Sequence, residues 1–81
     1  MALFSRAGCH LCEAVEAELQ SMKPAGGVTV VDIDHDADLQ TKYFLRIPVV
    51  VVGGREVFEA RMMDREGMWK DKLRSMVVGR S

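Results

Sequence analysis

The chain contains two cysteines, Cys9 and Cys12, which are separated by two residues and can form a redox-active dithiol pair. A disulfide between them would close a loop too short to restrict the unfolded chain much, so it would stabilise the fold poorly. In a reducing compartment, a closely spaced pair is typical of thiol–disulfide exchange or of metal binding. We therefore interpret the pair as chemical rather than structural.

The cysteine pair lies where a predicted strand is followed by a predicted helix. Cys9 occupies the N-capping position of that helix, where its sulfur can accept a hydrogen bond from the backbone N–H of Cys12. The unpaired N–H groups and the dipole at a helix start stabilise a thiolate, and cysteines of such motifs have pKa values of about 3.5 to 7.5. We predict that Cys9 is the attacking thiolate and that Cys12, nearer the core, has the higher pKa and resolves the mixed disulfide.

Three other titratable side chains follow Cys9 within the first two turns of this helix. A protonated His10 would stabilise the Cys9 thiolate, whereas Glu13 and Glu16 would oppose its ionisation. His10 can equally well point into the solvent, because residues in a first helical turn are usually exposed. The sequence leaves both interpretations of His10 open.

Hydrophobic periodicity predicts the elements that position the pair. Residues 2–5 form a short first strand, and an amphipathic helix covers residues 10–22. Its apolar stripe consists of Leu11, Val15, Leu19 and Met22. A proline and two glycines end this helix, and the β-branched run at residues 28–31 predicts a second strand.

The second half of the chain is predicted to form a short helix, a β-hairpin and a final helix. Asp36 caps the short helix, and the extended Ile47–Pro48 segment leads into the hairpin. The hairpin strands cover residues 49–52 and 55–60, on either side of a Gly-Gly turn. The element order is therefore β-α-β-α-β-β-α, in a single domain over residues 1–81.

The final helix is predicted to begin after Asp64 and to end near Gly79. One stripe of this helix carries Trp69, Leu73, Met76 and Val77. We assign the tryptophan and the six methionines of the chain to packing, in the core or on a flexible surface.

Composition limits the partners that the protein can have. Eleven Lys and Arg against twelve Asp and Glu give a net charge of −1, so no excess of positive charge is present to attract nucleic acid or anionic lipid. No segment approaches the roughly 18 apolar residues of a membrane span, and the first residues lack the charged and hydrophobic regions of a signal peptide. We therefore expect a cytoplasmic monomer without nucleic-acid or membrane partners.

Four aspartates follow the second predicted strand at alternate positions: Asp32, Asp34, Asp36 and Asp38. Alternate residues at a strand end do not converge on one cation, and the spacing differs from that of a calcium loop. We predict a solvated acidic rim with one helix cap, and we place His35 on the surface of the same loop. Arg46 can guide an acidic substrate or lie on the surface before a buried strand.

Two segments resemble the glutaredoxin-like proteins of the thioredoxin superfamily. These are residues 6–12, Arg-Ala-Gly-Cys-His-Leu-Cys, and residues 43–50, Tyr-Phe-Leu-Arg-Ile-Pro-Val-Val, and the resemblance extends over nearly the whole chain. It implies an α/β, thioredoxin-like fold of the glutaredoxin type, in which helices flank a four-stranded mixed sheet. It also implies that Pro48 forms a cis peptide bond facing the cysteines and that Ile47 presents its backbone to the substrate.

Glutathione is the co-substrate that the resemblance suggests, although the chain carries only part of the family's glutathione signature. Arg6 matches the basic residue three positions before the first cysteine, and Ile47–Pro48 matches most of a Thr-Val-Pro segment. Arg46 replaces the threonine, and Leu11 replaces the tyrosine between the cysteines. Residues 59–64 lack the Gly-Gly pair with acidic residues that opens the last helix. We expect no tightly bound cofactor, with glutathione as a candidate co-substrate.

We predict a thiol–disulfide oxidoreductase that acts on a disulfide-containing protein or on a small thiol substrate. Its catalytic residues are Cys9 and Cys12. Its candidate substrate-binding residues are Arg6, His10, Leu11, Ile47 and Pro48. Two alternatives remain open: a metal or iron–sulfur carrier that uses the cysteines and His10, and a non-catalytic binding module that uses the Ile47–Pro48 groove.

Overall fold

Four strands form one mixed sheet in the computed structural model, which describes residues 1–78. They are β1 (Ala2–Ser5), β2 (Thr29–Asp32), β3 (Val49–Val52) and β4 (Arg55–Glu59). Their order across the sheet is β2-β1-β3-β4. Strand β1 pairs parallel to β2 and antiparallel to β3, while β3 and β4 form the predicted antiparallel hairpin.

Three α-helices complete the predicted order within the described residues. They are α1 (His10–Ser21), α2 (Ala37–Tyr43) and α3 (Trp69–Val78). Single 3-10 turns at Ile33–His35 and Ala60–Met62 connect the elements. The predicted helix 10–22 ends one residue early because Met22 is its C-cap, and the second strand begins one residue later than predicted. No helix among residues 1–78 combines the length and the apolar character that a bilayer crossing requires.

The last helix starts later than the sequence predicts. Helix α3 begins at Trp69, whose backbone N–H donates to Oδ1 of Asp64 at 3.4 Å. Between them, Gly67 has a φ of 79°, a left-handed conformation that does not fit the first turn of an α-helix. Asp64 therefore reaches the helix start across a turn instead of capping it directly. The predicted helix end near Gly79 lies outside the described residues.

The core consists of two clusters on opposite faces of the sheet. Strand residues alternate between faces, so Leu3 and Val50 point to one face and Val49 to the other. The larger cluster joins the sheet to α1 and α3 through Leu3, Val15, Leu19, Val50, Phe58, Trp69 and Leu73. The smaller cluster joins it to α2 through Ile33, Tyr43 and Val49. Burial of each large apolar side chain contributes about 1.5–3 kcal/mol to stability, and Trp69 packs in this core as predicted.

The sheet places the end of β1 beside the start of β3. Phe4 pairs with Val49 in the antiparallel register, so the next pair along the sheet is Ser5 and Pro48. Strand β1 ends at Ser5, and α1 begins five residues later at His10. In the intervening turn, Gly8 has a φ of 78°, a conformation that glycine adopts readily. The fold therefore brings the Pro48 segment to the same end of the sheet as the cysteine pair.

Candidate active site

Cys9 caps the N-terminus of α1, as predicted. Its backbone is extended, with φ −89° and ψ 107°, and its Sγ accepts a hydrogen bond of 3.2 Å from the backbone N–H of Cys12. The residue is partly exposed, and neither cysteine is in a disulfide. A sulfur in this position faces the unpaired N–H groups and the positive end of the helix dipole, which favour a negative charge. Cys9 is thus the solvent-accessible sulfur of the pair, at the end of the helix that stabilises negative charge.

Cys12 lies one turn further into α1 and is only 3% exposed. Burial is the main cause that raises the pKa of its thiol from 9.0 to about 12, with further contributions from the Cys9 side chain through a hydrogen bond and through its charge. A backbone hydrogen bond from Arg6 acts in the opposite direction. Cys12 therefore holds its proton at neutral pH. The direction of this shift agrees with the prediction made for Cys12 as the cysteine nearer the core.

The Ile47–Pro48 peptide bond is cis, and the Pro48 side chain is fully buried. The backbone N–H of Ile47 donates to the carbonyl of Tyr43 at 3.1 Å, so it is already used at the end of α2. No hydrogen bond within residues 1–78 is accepted by the Ile47 carbonyl. Of the two backbone groups of Ile47, only the carbonyl is therefore available for a substrate. The sequence-based expectation that Ile47 presents its backbone to the substrate is limited to this group.

Arg6 forms an ion pair with Asp34 of the same chain. Its Nη2 lies 2.9 Å from Oδ1 of Asp34 and its Nε lies 3.3 Å from Oδ2, while Nε2 of Gln40 donates to the same Oδ1 at 2.9 Å. The hydrogen bond from Gln40 and then those from Arg6 lower the pKa of Asp34. The Arg6 guanidinium remains 42% exposed. A substrate carboxylate would therefore have to share this guanidinium with Asp34 or displace Asp34 from it.

A cavity of about 380 Å³ lies beside Arg6. Its other lining residues come from α2 and the residue after it: Gln40, Thr41 and Phe44. The Phe44 side chain is 53% exposed, and its neighbour Leu45 is 80% exposed. This cavity combines a cationic group, an amide, a hydroxyl and an aromatic ring, a set that suits a small polar ligand with a carboxylate. No sequence pattern relates these α2 residues to Arg6, because only the fold brings them together.

A second cavity, of about 260 Å³, lies between α1 and β2 and reaches Cys12. Its polar and charged lining consists of Ser5, Arg6, Glu13, Glu16 and Asp32. Ser5 is itself buried, at 8% exposure. Cys12 is thus in contact with a polar space.

His10 and Leu11, the two residues between the cysteines, lie on the surface. The His10 side chain is 96% exposed, and its Nδ1 lies 3.6 Å from Oε2 of Glu13, so its position favours the interpretation that it points into the solvent. Leu11 is 51% exposed and adds apolar surface next to Cys9. Neither side chain helps to fix the geometry of the cysteines, and their role in binding substrate stays a prediction.

Arg46 forms ion pairs with the hairpin. Its guanidinium contacts the carboxylates of Glu56 and Glu59 and lies over the Tyr43 ring, 5.3 Å from the centroid. The hydrogen bonds from Arg46 are the main cause that lowers the pKa of both glutamates. Two carboxylates neutralise the Arg46 charge, which favours the interpretation of Arg46 as a structural surface residue over a guide for acidic substrates.

The remaining acidic residues have local structural roles. Asp36 caps α2, as predicted, and Asp32 caps the following 3-10 turn. His35 is a surface residue, with its side chain 83% exposed. Within residues 1–78, no group of three or more His, Cys, Asp or Glu side chains is close enough together to hold a metal ion.

Comparison with known proteins agrees with this geometry. The family model described as glutaredoxin-like domain (DUF836) matches residues 1–76. Among solved structures, the chain is similar to the X-ray structure of Northeast Structural Genomics target protein XcR50 from X. campestris, at 36% identity and a TM-score of 0.65, over 86% of this chain and 93% of that one. The comparison with curated proteins found no significant match. These matches confirm the predicted relationship and the thioredoxin-like α/β fold, and the chain belongs to the glutaredoxin-like domain (DUF836) family.

Proposed function

We propose that this protein is a thiol–disulfide oxidoreductase with a dithiol mechanism, in which Cys9 attacks and Cys12 resolves. The observation that carries the proposal is the asymmetry of the pair. Cys9 is partly exposed and its sulfur accepts a hydrogen bond at the helix start, whereas Cys12 is buried and keeps its proton. The accessible thiol is thus suited to attack the substrate, and the buried thiol is suited to resolve the mixed disulfide.

The reaction has two exchange steps. The Cys9 thiolate attacks one sulfur of a substrate disulfide, forms a mixed disulfide and releases the other substrate sulfur as a thiolate. Cys12 then loses its proton and attacks the Cys9 sulfur, which forms the Cys9–Cys12 disulfide and releases the second substrate thiolate. Two electrons pass from the cysteine pair to the substrate, and a thiol reductant restores the pair by the reverse steps.

The structure gives a physical reason for the order of these steps. In the mixed disulfide, Cys9 no longer carries a negative charge, so the repulsion that it exerts on a Cys12 thiolate disappears. Two of the causes that raise the pKa of Cys12, the hydrogen bond and the charge of Cys9, are then removed, while burial remains. Cys12 therefore becomes more acidic only after the first step has taken place.

The cavity beside Arg6 supports the proposed substrate class. Its guanidinium, the Gln40 amide and the exposed Phe44 ring suit a small disulfide that carries a carboxylate. Glutathione disulfide, or a mixed disulfide of glutathione with a protein, belongs to this class. The Ile47 carbonyl can accept a hydrogen bond from a substrate N–H. We propose the cytoplasm as the setting, since it keeps thiols reduced.

The test is to mix the reduced protein with glutathione disulfide and to identify the products by mass spectrometry. We expect an intramolecular disulfide in the wild-type protein. Cys12→Ser should stop at a glutathione adduct on Cys9, and Cys9→Ser should react far more slowly. A Cys9→Ser variant that exchanges as fast as wild type would contradict the proposal.

A further inference from the structure

The resolving step requires a proton acceptor that the cysteine pair does not supply. Cys12 must become a thiolate before it attacks, and its thiol is almost fully buried. Cys9 cannot take this proton, because its sulfur is bonded to the substrate at that stage. The acceptor must therefore come from the surroundings of Cys12.

The cavity between α1 and β2 has Cys12 among its lining residues. Its volume of about 260 Å³ exceeds the roughly 30 Å³ that one water occupies in the liquid. The buried Ser5 and several carboxylates line it, so water inside it has polar partners. A proton leaving Cys12 can enter this space without crossing the apolar core.

Three of the charged residues that face this cavity already have partners. Arg6, from the β1–α1 turn, is bound to Asp34. Glu13, on α1, lies 3.6 Å from the imidazole of His10 and is 69% exposed. Asp32, at the end of β2, accepts the N–H of Asp34 at 2.9 Å and lies 3.9 Å from the imidazole of His35.

Glu16 is the exception. Its side chain is partly buried and lines the same cavity as Cys12. Within residues 1–78 its carboxylate takes part in no ion pair and no side-chain hydrogen bond. Glu16 follows Cys12 by four residues on α1, a spacing that puts the two Cβ atoms about 5–6 Å apart on one helix face.

We propose that Glu16 accepts the proton of Cys12, through water in this cavity, during the resolving step. The inference rests on the proposed function. The S–H bond of Cys12 breaks, and its proton passes through water to the Glu16 carboxylate. The Cys12 sulfur bonds to the Cys9 sulfur, and the substrate sulfur leaves with the electron pair of the broken disulfide bond. Glu16 afterwards returns the proton to the solvent.

The sign of the effect separates this role from simple electrostatics. A carboxylate near Cys12 disfavours the thiolate by charge repulsion. By charge alone, Glu16→Gln would therefore make Cys12 more acidic and accelerate the resolving step. If Glu16 accepts the proton, the same substitution slows that step.

The experiment follows both steps in one reaction. The reduced protein is mixed in a stopped-flow instrument with 5,5′-dithiobis(2-nitrobenzoate), which releases one coloured thiolate when Cys9 attacks and a second when Cys12 resolves. We expect Glu16→Gln to slow the second phase about a hundredfold near neutral pH, the low end of what a positioned base contributes. The first phase should be no slower than in wild type, because it does not involve the Cys12 proton and the loss of the Glu16 charge favours the Cys9 thiolate.

The control variants test whether the carboxylate itself acts. Glu16→Asp should keep part of the rate of the second phase, and Glu13→Gln should not slow that phase, because it removes a nearby charge without removing the proton acceptor. If Glu16→Gln folds poorly, Glu16→Ala retains helix propensity, and added acetate should restore its second phase where chloride at equal ionic strength does not.

An unchanged or faster second phase in Glu16→Gln, or an Ala variant that acetate does not rescue, would overturn the role of Glu16. If the wild-type protein shows no rapid first phase, the proposed function itself is overturned.

Discussion

The buried Cys12 thiol should make the stability of the reduced protein depend on pH above neutrality. Folding raises the pKa of this thiol from 9.0 to about 12, so the folded state holds the proton more tightly than the unfolded state. The resulting stabilisation is complete below the unfolded value and is lost as the pH rises towards the folded value. From about pH 8 to pH 10 the loss amounts to about 1.4 kcal/mol, because each pH unit above the unfolded pKa removes about 1.4 kcal/mol.

Urea unfolding under reducing conditions at these two pH values measures the loss. Cys12→Ala has no thiol at this position, so its free energy of unfolding should fall by about 1.4 kcal/mol less than that of wild type over the interval. Between the two pH values, the free energy of unfolding of Cys9→Ala should fall almost as much as that of wild type, since burial is the main cause of the raised pKa of Cys12. If wild type and Cys12→Ala lose stability in parallel, the thiol of Cys12 titrates as it does in the unfolded chain and the reasoning is wrong.

Three other substitutions test the site and the core. Asp34→Asn should free Arg6 and raise kcat/KM for glutathione disulfide, relative to neutral hydroxyethyl disulfide, by about fivefold for an ion pair worth about 1 kcal/mol; an unchanged ratio would show that Arg6 does not meet the substrate carboxylate. Leu73→Ala, which opens a gap in the core beside α3, should cost about 2–5 kcal/mol in urea unfolding, and a loss well below this range would mean that the α3 interface is loose. Gly8→Ala should lower stability by about 1–2 kcal/mol because its φ is 78°; since no heavy atom lies within 4 Å of the added Cβ, a much larger loss would point to another cause.

The local features of the site could be predicted from the sequence. The capping position of Cys9 depends on a strand end, a glycine and a helical period that all lie within a few residues of it. The cap of α2 at Asp36 is equally local. The β-hairpin followed from two apolar segments on either side of a Gly-Gly turn. In each case, the residues that determine the structure are close neighbours in the chain.

The residues brought together by tertiary contact could not be predicted. Asp34 lies 28 residues from Arg6, and neither periodicity nor spacing relates the two. Nothing in the sequence pattern indicates that Phe44 lines a cavity beside Arg6. Glu16 is a polar residue of an amphipathic helix, and its spacing from Cys12 does not indicate that the two share a cavity. That cavity exists only because β2 lies beside α1 in the fold.

Backbone conformation explains the error at the last helix. Asp64 was a reasonable cap by residue type, but Gly67 adopts a positive φ and delays the start of the helix to Trp69. Glycine permits this conformation without requiring it. The residue types around Asp64 therefore do not fix the position at which the helix begins.

In the proposed mechanism Cys9 reacts first and Cys12 second, and the order in which the bonds form distinguishes this mechanism from its reverse. The reduced wild-type protein is mixed with glutathione disulfide, quenched with acid at successive times and mapped by peptide mass spectrometry. We expect a glutathione adduct on Cys9 to appear first and to be replaced by the Cys9–Cys12 disulfide. A first adduct on Cys12, or no adduct on either cysteine, would show that the mechanism is wrong.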